Sequence, residues 1–131
     1  MKNHSLLISI DVLLDEKMFF MNGENVLMDY DLAALFEIST RQLLRQVKVN
    51  RKKFPSDFMI EITDKKLLRT IPLSEAKRKK YYAFFWGGII MTGGLFRTER
   101  ANALSIQFVE SFVKLCGGGF ELLEKIAREN K

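Results

Sequence analysis

Along residues 6–14, Ile8, Ile10 and Val12 alternate with Ser9 and Asp11, the two-residue period of a half-buried strand. Two short apolar runs follow, 17–21 and 25–28, separated by Asn22-Gly23-Glu24. Asn and Gly both tolerate positive φ, so this spacing predicts a β-hairpin. Leu32, Leu35 and Phe36 then recur at helical spacing, with Asp29 or Asp31 placed to cap the first free N–H groups. Ser39 or Thr40 offers a second cap, and the helical pattern resumes through Phe54, where Pro55 stops it. Alternation returns over 58–63, Asp64 opens a short helical turn, and a second strand-like run at 81–85 is available to pair with the first as a hairpin. Residues 86–95 are apolar despite four glycines and read as a helical stretch. Thr98 caps a long amphipathic helix with Ala101, Leu104, Phe108, Phe112 and Leu115 on one face. Gly117-Gly118-Gly119 breaks it, and 120–130 forms a final short helix.

The helix pair at residues 31–54, broken at Glu37–Ser39, has the form of a helix-turn-helix. Ala33 is small where the helices approach, Ile38 is the apolar plug of the turn, and Leu43 and Val47 anchor the second helix on the first. At about 100° per residue, Arg41, Arg45, Lys48 and Lys52 fall within an arc of roughly 60°, nearly opposite Leu43, Val47 and Phe54. One face suits a core and the other suits phosphate. A recognition helix meets base edges with its N-terminal side chains and grips the backbone further along. That assigns base contacts to Arg41, Gln42 and Arg45, with Gln46 a fourth candidate, because Arg and Gln match guanine and adenine edges. Lys48, Arg51, Lys52 and Lys53 become the phosphate contacts. The plainer alternative is an αα-hairpin with a solvated basic face.

Charge sharpens this pattern. The chain has 131 residues and a net charge of +5, but residues 38–96 carry thirteen basic and four acidic side chains, whereas 1–37 carry two and seven. No acidic residue occurs between Ile38 and Ser56. Concentrated positive charge in the middle points to a polyanion partner. A second basic run, Lys77, Arg78, Lys79 and Lys80, precedes Tyr81 and Tyr82; at a hairpin tip it would act as a wing on the DNA backbone, and otherwise it is a solvated loop.

Composition limits the alternatives. Eleven Phe residues imply an aromatic core, and the length suits one domain. A single Cys, Cys116, permits no intrachain disulfide and suits a reducing cytosol. Neither a membrane span nor a cleavable leader is expected, since Asp11 interrupts the apolar stretch and no small-residue cleavage site follows it. The only imidazole is His4, so Ser-His or Cys-His chemistry has no plausible base. Asp29 and Asp31 are better explained as caps than as an acid/base pair, and neither Gly87–Gly94 nor Gly117–Gly119 is followed by the Lys-Ser/Thr of a phosphate loop. Cys116 reads as a small buried hydrophobe. No enzyme activity, cofactor or metal is expected.

Several blocks carry a more specific signal: residues 26–36 (VLMDYDLAALF), 40–43 (TRQL), 46–50 (QVKVN), 54–59 (FPSDFM), 82–84 (YAF), 88–91 (GIIM) and Arg100-Ala101 through Phe112-Val113. In this order they resemble the ORF-six-N domain family, related to the KilA-N and Bro-N domains of phages and large DNA viruses, over roughly residues 18–115. The resemblance implies a DNA-binding module of phage or prophage origin, linked to transcription regulation or antirepressors, with the DNA-binding role on residues 40–51. Glu37 stands where that family commonly has Gly, which predicts a less tight or differently shaped turn. Phe85-Trp86-Gly87 replaces a polar stretch of the family.

The combined expectation is an α+β fold: a helix-turn-helix core with small antiparallel hairpins (winged-helix-like) and a C-terminal helical segment. Residues 1–116 would form a single KilA-N-related DNA-binding domain and 117–131 a helical extension. The expected function is a cytoplasmic reader of double-stranded DNA, using the helix from Thr40 to Phe54 and forming a homodimer through its C-terminal helices. The competing reading is an interaction domain that captures a phage repressor or host regulatory protein through the Trp86–Phe112 surface without touching DNA.

Overall fold

The computed structural model describes residues 13–115 other than 15 and 22, together with residue 128. Strands β1 (Phe19–Met21) and β2 (Glu24–Met28) form the hairpin expected from Asn22-Gly23, with Met21 opposite Glu24 and Gly23 at φ 80°. Helices α1 (Asp29–Phe36) and α2 (Thr40–Val49) follow, then a 3₁₀ turn at Arg51–Lys53 and strand β3 (Met59–Glu61). An excursion over residues 62–81, with helix α3 (Lys65–Leu68) and a 3₁₀ turn at Leu73–Glu75, leads into β4 (Tyr82–Phe85). Helices α4 (Trp86–Thr92) and α5 (Glu99–Leu115) complete the described chain. The fold is α+β.

The expected hairpins merge into one antiparallel sheet of order β1-β2-β4-β3. β3 and β4 pair as anticipated (Met59 opposite Phe84), but they close across a twenty-residue excursion. β4 is also one of the two central strands, paired on its other side with β2, with Ala83 opposite Met28 and Phe85 opposite Val26.

Strand alternation divides the interior into two layers. Leu27, Met59 and Phe84 face a core that includes Leu32 and Phe36 of α1, Leu43 and Val47 of α2, Ile89 of α4, and Leu104 and Phe108 of α5. Phe36 joins Phe96 and Phe108 in ring contacts at 5.2 and 6.0 Å, so the abundant Phe does organise this layer. On the other face, Val26, Met28, Ala83 and Phe85 pack with Ile62 and Tyr81, and Leu67, Leu68 and Ile71 of the excursion cover them. Helices α1, α2, α4 and α5 therefore lie on one side of the sheet, and the excursion with α3 on the other.

Gly88 has a packing reason. A Cβ there would collide with the Phe58 carbonyl oxygen, which accepts from the Phe85 N–H at 2.9 Å and ties β4 to the turn before β3.

Three expectations change. Of the strand expected at 6–14, residues 6–12 lie outside the described residues, while Leu13 and Leu14 are helical and Leu14 is buried beneath the helices. On α5, Ala101, Leu104 and Phe108 are buried, but Leu115 is exposed near the helix end. The second helix of the pair stops at Val49 and does not reach Phe54. There the Asn50 side chain donates to the Gln46 carbonyl at 2.8 Å, and the next three residues tighten into 3₁₀ geometry ahead of Pro55, which disfavours helix at Phe54. Cys116, the break at Gly117–Gly119 and all of the 120–130 helix but Arg128 lie outside the described residues.

Candidate nucleic-acid interface

The angle between α1 and α2 is set by a three-residue turn whose backbone groups are satisfied. Glu37 adopts the left-handed conformation (φ 58°, ψ 39°); its N–H donates to Ala34 and the Ile38 N–H donates to Ala33. These crossed bonds form a Schellman motif, in which Ile38 packs back onto the core. The expected loosening of the turn is thus not observed: Glu37 holds the geometry in which glycine is easiest. Arg100, from α5, donates through Nε to the Leu35 carbonyl at 2.7 Å and lies 3.3 Å from the Glu37 carboxylate. It closes the C-terminus of α1 with a donor and a positive charge, both of which suit that end of a helix.

Ser39, of the two candidates, is the cap of α2. Its Oγ accepts from the Gln42 N–H at 3.1 Å, and Gln42 Oε1 accepts from the Ser39 N–H at 3.0 Å, a reciprocal capping box. Leu43 and Val47 then bury one face of α2 against α1, while Arg41, Arg45 and Lys48 stand exposed on the other. Arg51, Lys52 and Lys53 are also exposed, but on the 3₁₀ turn, so Lys52 is not part of the α-helical arc. Thr40 and Gln46 are half-buried. Gln42 is exposed, yet its carbonyl oxygen is held by the cap, leaving only its amide N–H₂ group to reach outward.

The second basic run divides. Lys77, Lys79 and Lys80 are exposed, but Arg78 turns inward. Its guanidinium grips the fully buried Asp29 carboxylate at 2.6 and 3.0 Å and lies 4.3 Å over the Tyr81 ring. Asp29 also accepts from the Tyr82 N–H at 3.0 Å. The structure therefore corrects two readings. Asp29 is the anion of a buried pair and not a helix cap, since α1 has no side-chain cap; Arg78 holds the fold together and is not a free phosphate ligand. The run also does not sit at a hairpin tip, because the excursion from β3 separates the strands.

Asp31, close to this pair, has its carboxyl raised above the ordinary range by burial, with Asp29 and Glu75 adding to the effect. Burial, followed by the charges of Asp31, Asp29 and Glu75, pushes the Tyr30 hydroxyl up to about 12. The acidic N-terminus of α1 is thus a different electrical environment from α2.

Lys65, Lys66 and Arg69 are further exposed cations that periodicity did not single out. Their only signal in the sequence was their share of the +9 balance over residues 38–96. Among the described residues, no group of three or more His, Cys, Asp or Glu side chains could hold a metal ion, and no helix is long and apolar enough to cross a membrane.

A family model for the ORF6N domain matches residues 16–93, more than half of the chain and spanning β1 through the end of α4. No curated protein and no solved structure shows significant similarity to this chain.

Proposed function

Since the chain belongs to the ORF6N domain family, we propose that it is a DNA-binding module of phage or prophage type that reads duplex DNA with α2. The observation that carries this reading is the solvent face of that helix. Arg41, Arg45 and Lys48 project from it without an ion-pair partner among the described residues, while Leu43 and Val47 lock the opposite face to α1. A folding helix that needed its cations for stability would place acids beside them; this one has none from Ser39 to Pro55.

Roles divide along the helix. Arg41 and Arg45 reach base edges, and Gln46 is the remaining amide for that task because the carbonyl of Gln42 belongs to the cap. Thr40, at the helix start, and Lys48, Arg51, Lys52 and Lys53 hold the phosphate backbone. The protein acts as a transcription regulator or antirepressor-like factor in the cytoplasm, without catalysis. Two copies join through α5, where Ile106 and Leu115 are 61% and 56% exposed, to read related half-sites.

A salt-titrated selection against random duplex DNA tests this. Wild type is expected to enrich a motif and to bind with an affinity that falls steeply with salt. Arg41→Ala with Arg45→Ala should lose the motif, whereas Lys52→Ala and Lys53→Ala should weaken all sequences alike and lower the salt slope by about one each. Duplex affinity unaffected by all four substitutions overturns the reading. Retention of a repressor after the α2 charges are removed would instead favour the protein-capture role.

A further inference from the structure

The excursion over residues 62–81 carries its own set of free cations. Lys65, Lys66, Arg69, Lys77, Lys79 and Lys80 are exposed, and none has an ion-pair partner among the described residues. The two acids of this segment are used by the fold: Asp64 caps α3 through the Lys66 N–H at 2.8 Å, and Glu75 lies 3.7 Å from Arg78. The layer is also anchored. Leu67, Leu68 and Ile71 pack on the sheet, and Arg78 is fastened to the buried Asp29. These cations are therefore presented by a fixed surface.

That surface lies across the sheet from α2. Leu43 and Val47 belong to the layer containing Leu27 and Phe84, whereas Leu67, Leu68 and Ile71 belong to the layer containing Val26 and Phe85. With packed layers about 10 Å apart, the two cation sets are separated by on the order of 20 Å, beyond the roughly 8 Å over which charge is felt at physiological salt. A duplex seated on α2 leaves the excursion's cations uncompensated.

We propose that the 62–81 layer is a second, sequence-independent phosphate-binding surface, so that one protomer holds two segments of duplex DNA on opposite faces of its sheet; this rests on the DNA-binding reading of α2. A second duplex is the partner whose regular phosphate spacing suits a broad basic surface carrying six exposed cations, unpaired among the described residues.

The test uses the whole chain, an immobilised duplex carrying the selected motif and a second, fluorescent duplex of unrelated sequence in solution. Wild type should bind the first and capture the second, with capture lost as salt rises. Lys65→Gln, Lys66→Gln, Arg69→Gln and Lys79→Gln combined should keep affinity for the motif within about threefold while capture falls at least tenfold. All four side chains are exposed, and circular dichroism verifies the fold. Wild type that binds the motif without capturing the second duplex overturns the proposal and leaves the α2 reading standing. So does undiminished capture by the four-fold variant, which would place bridging in a second copy of the chain. Undiminished motif binding by Arg41→Ala with Arg45→Ala would overturn the α2 reading and, with it, the two-duplex arrangement.

Discussion

Replacing Glu37 isolates the cost of the turn that aims α2. At φ 58° and ψ 39°, a residue with a Cβ sits in the left-handed region at a cost of about 1–2 kcal/mol, which glycine avoids. Glycine returns about 0.4–1 kcal/mol of this through the freedom it adds to the unfolded chain. The contact between Glu37 and Arg100 has to be removed from the comparison. At 3.3 Å, with the glutamate 69% exposed, it contributes at the low end of the roughly 0.2–1 kcal/mol of surface pairs. Glu37→Ala and Glu37→Gly both lose that contact, so their difference reports the backbone alone. Glu37→Gly should be the more stable of the two by about 0.5–1 kcal/mol, or about 2–4 °C in Tm for a chain of this length. Thermal unfolding followed by circular dichroism, repeated in urea, measures it. Duplex affinity should be the same for both variants, because neither touches the exposed face of α2. Equal stability, or an advantage for alanine, would refute the left-handed turn and the derivation of the α1–α2 angle from it.

Three further perturbations probe the rest of the framework. Arg78→Met leaves the Asp29 carboxylate buried without its cation and should destabilise by about 3 kcal/mol, whereas Lys79→Met, one residue away and exposed, should stay within about 0.5 kcal/mol in urea denaturation; equal effects would remove the buried pair from the account. Gly88→Ala drives a methyl into the Phe58 carbonyl and should cost about 1–3 kcal/mol, against near-neutrality for Gly94→Ala, whose added Cβ would meet nothing closer than 3.7 Å. Asp31 has a raised carboxyl in the folded state, so the fold binds its proton more tightly than the unfolded chain does, and its contribution is lost as pH rises through the interval above the ordinary carboxylate value. The stability of Asp31→Asn relative to wild type should accordingly increase from about pH 4 to neutrality, and paired melts across that range that stay parallel would contradict it.

What could be read from the sequence was local. Asn22-Gly23 marks a hairpin because the turn residues lie between the strands they join, and the cap at Ser39 and the buried stripe of Leu43 and Val47 are likewise set within a few residues. The exposed cations of α2 follow from the same periodicity. What escaped was decided across the chain. The pairing of β2 with β4 joins segments nearly sixty residues apart, and alternation shows that a strand has two faces without naming its neighbour. Asp29 looks like a cap because the cap would be local, while its partner Arg78 is 49 residues away. The end of α2 at Val49 depends on one side chain, Asn50, turning back on the Gln46 carbonyl, which hydrophobic spacing does not report.

The same distinction separates cations that build the fold from cations left for a partner. Within the run from Lys77 to Lys80, four adjacent basic residues are equivalent by composition, yet one is fastened to a buried acid and three are not. Arg100, which follows Glu99 and lies three residues after Arg97 in the sequence, is likewise occupied at the end of α1. A basic residue becomes available for phosphate only when the acids near it in space are already occupied. On α2 no acid is present to compete, and in the excursion both acids are consumed by a cap and by Arg78. Two surfaces of unpaired charge on opposite sides of one sheet are thus a consequence of where the acids went, and counting basic residues along the chain could not have located them.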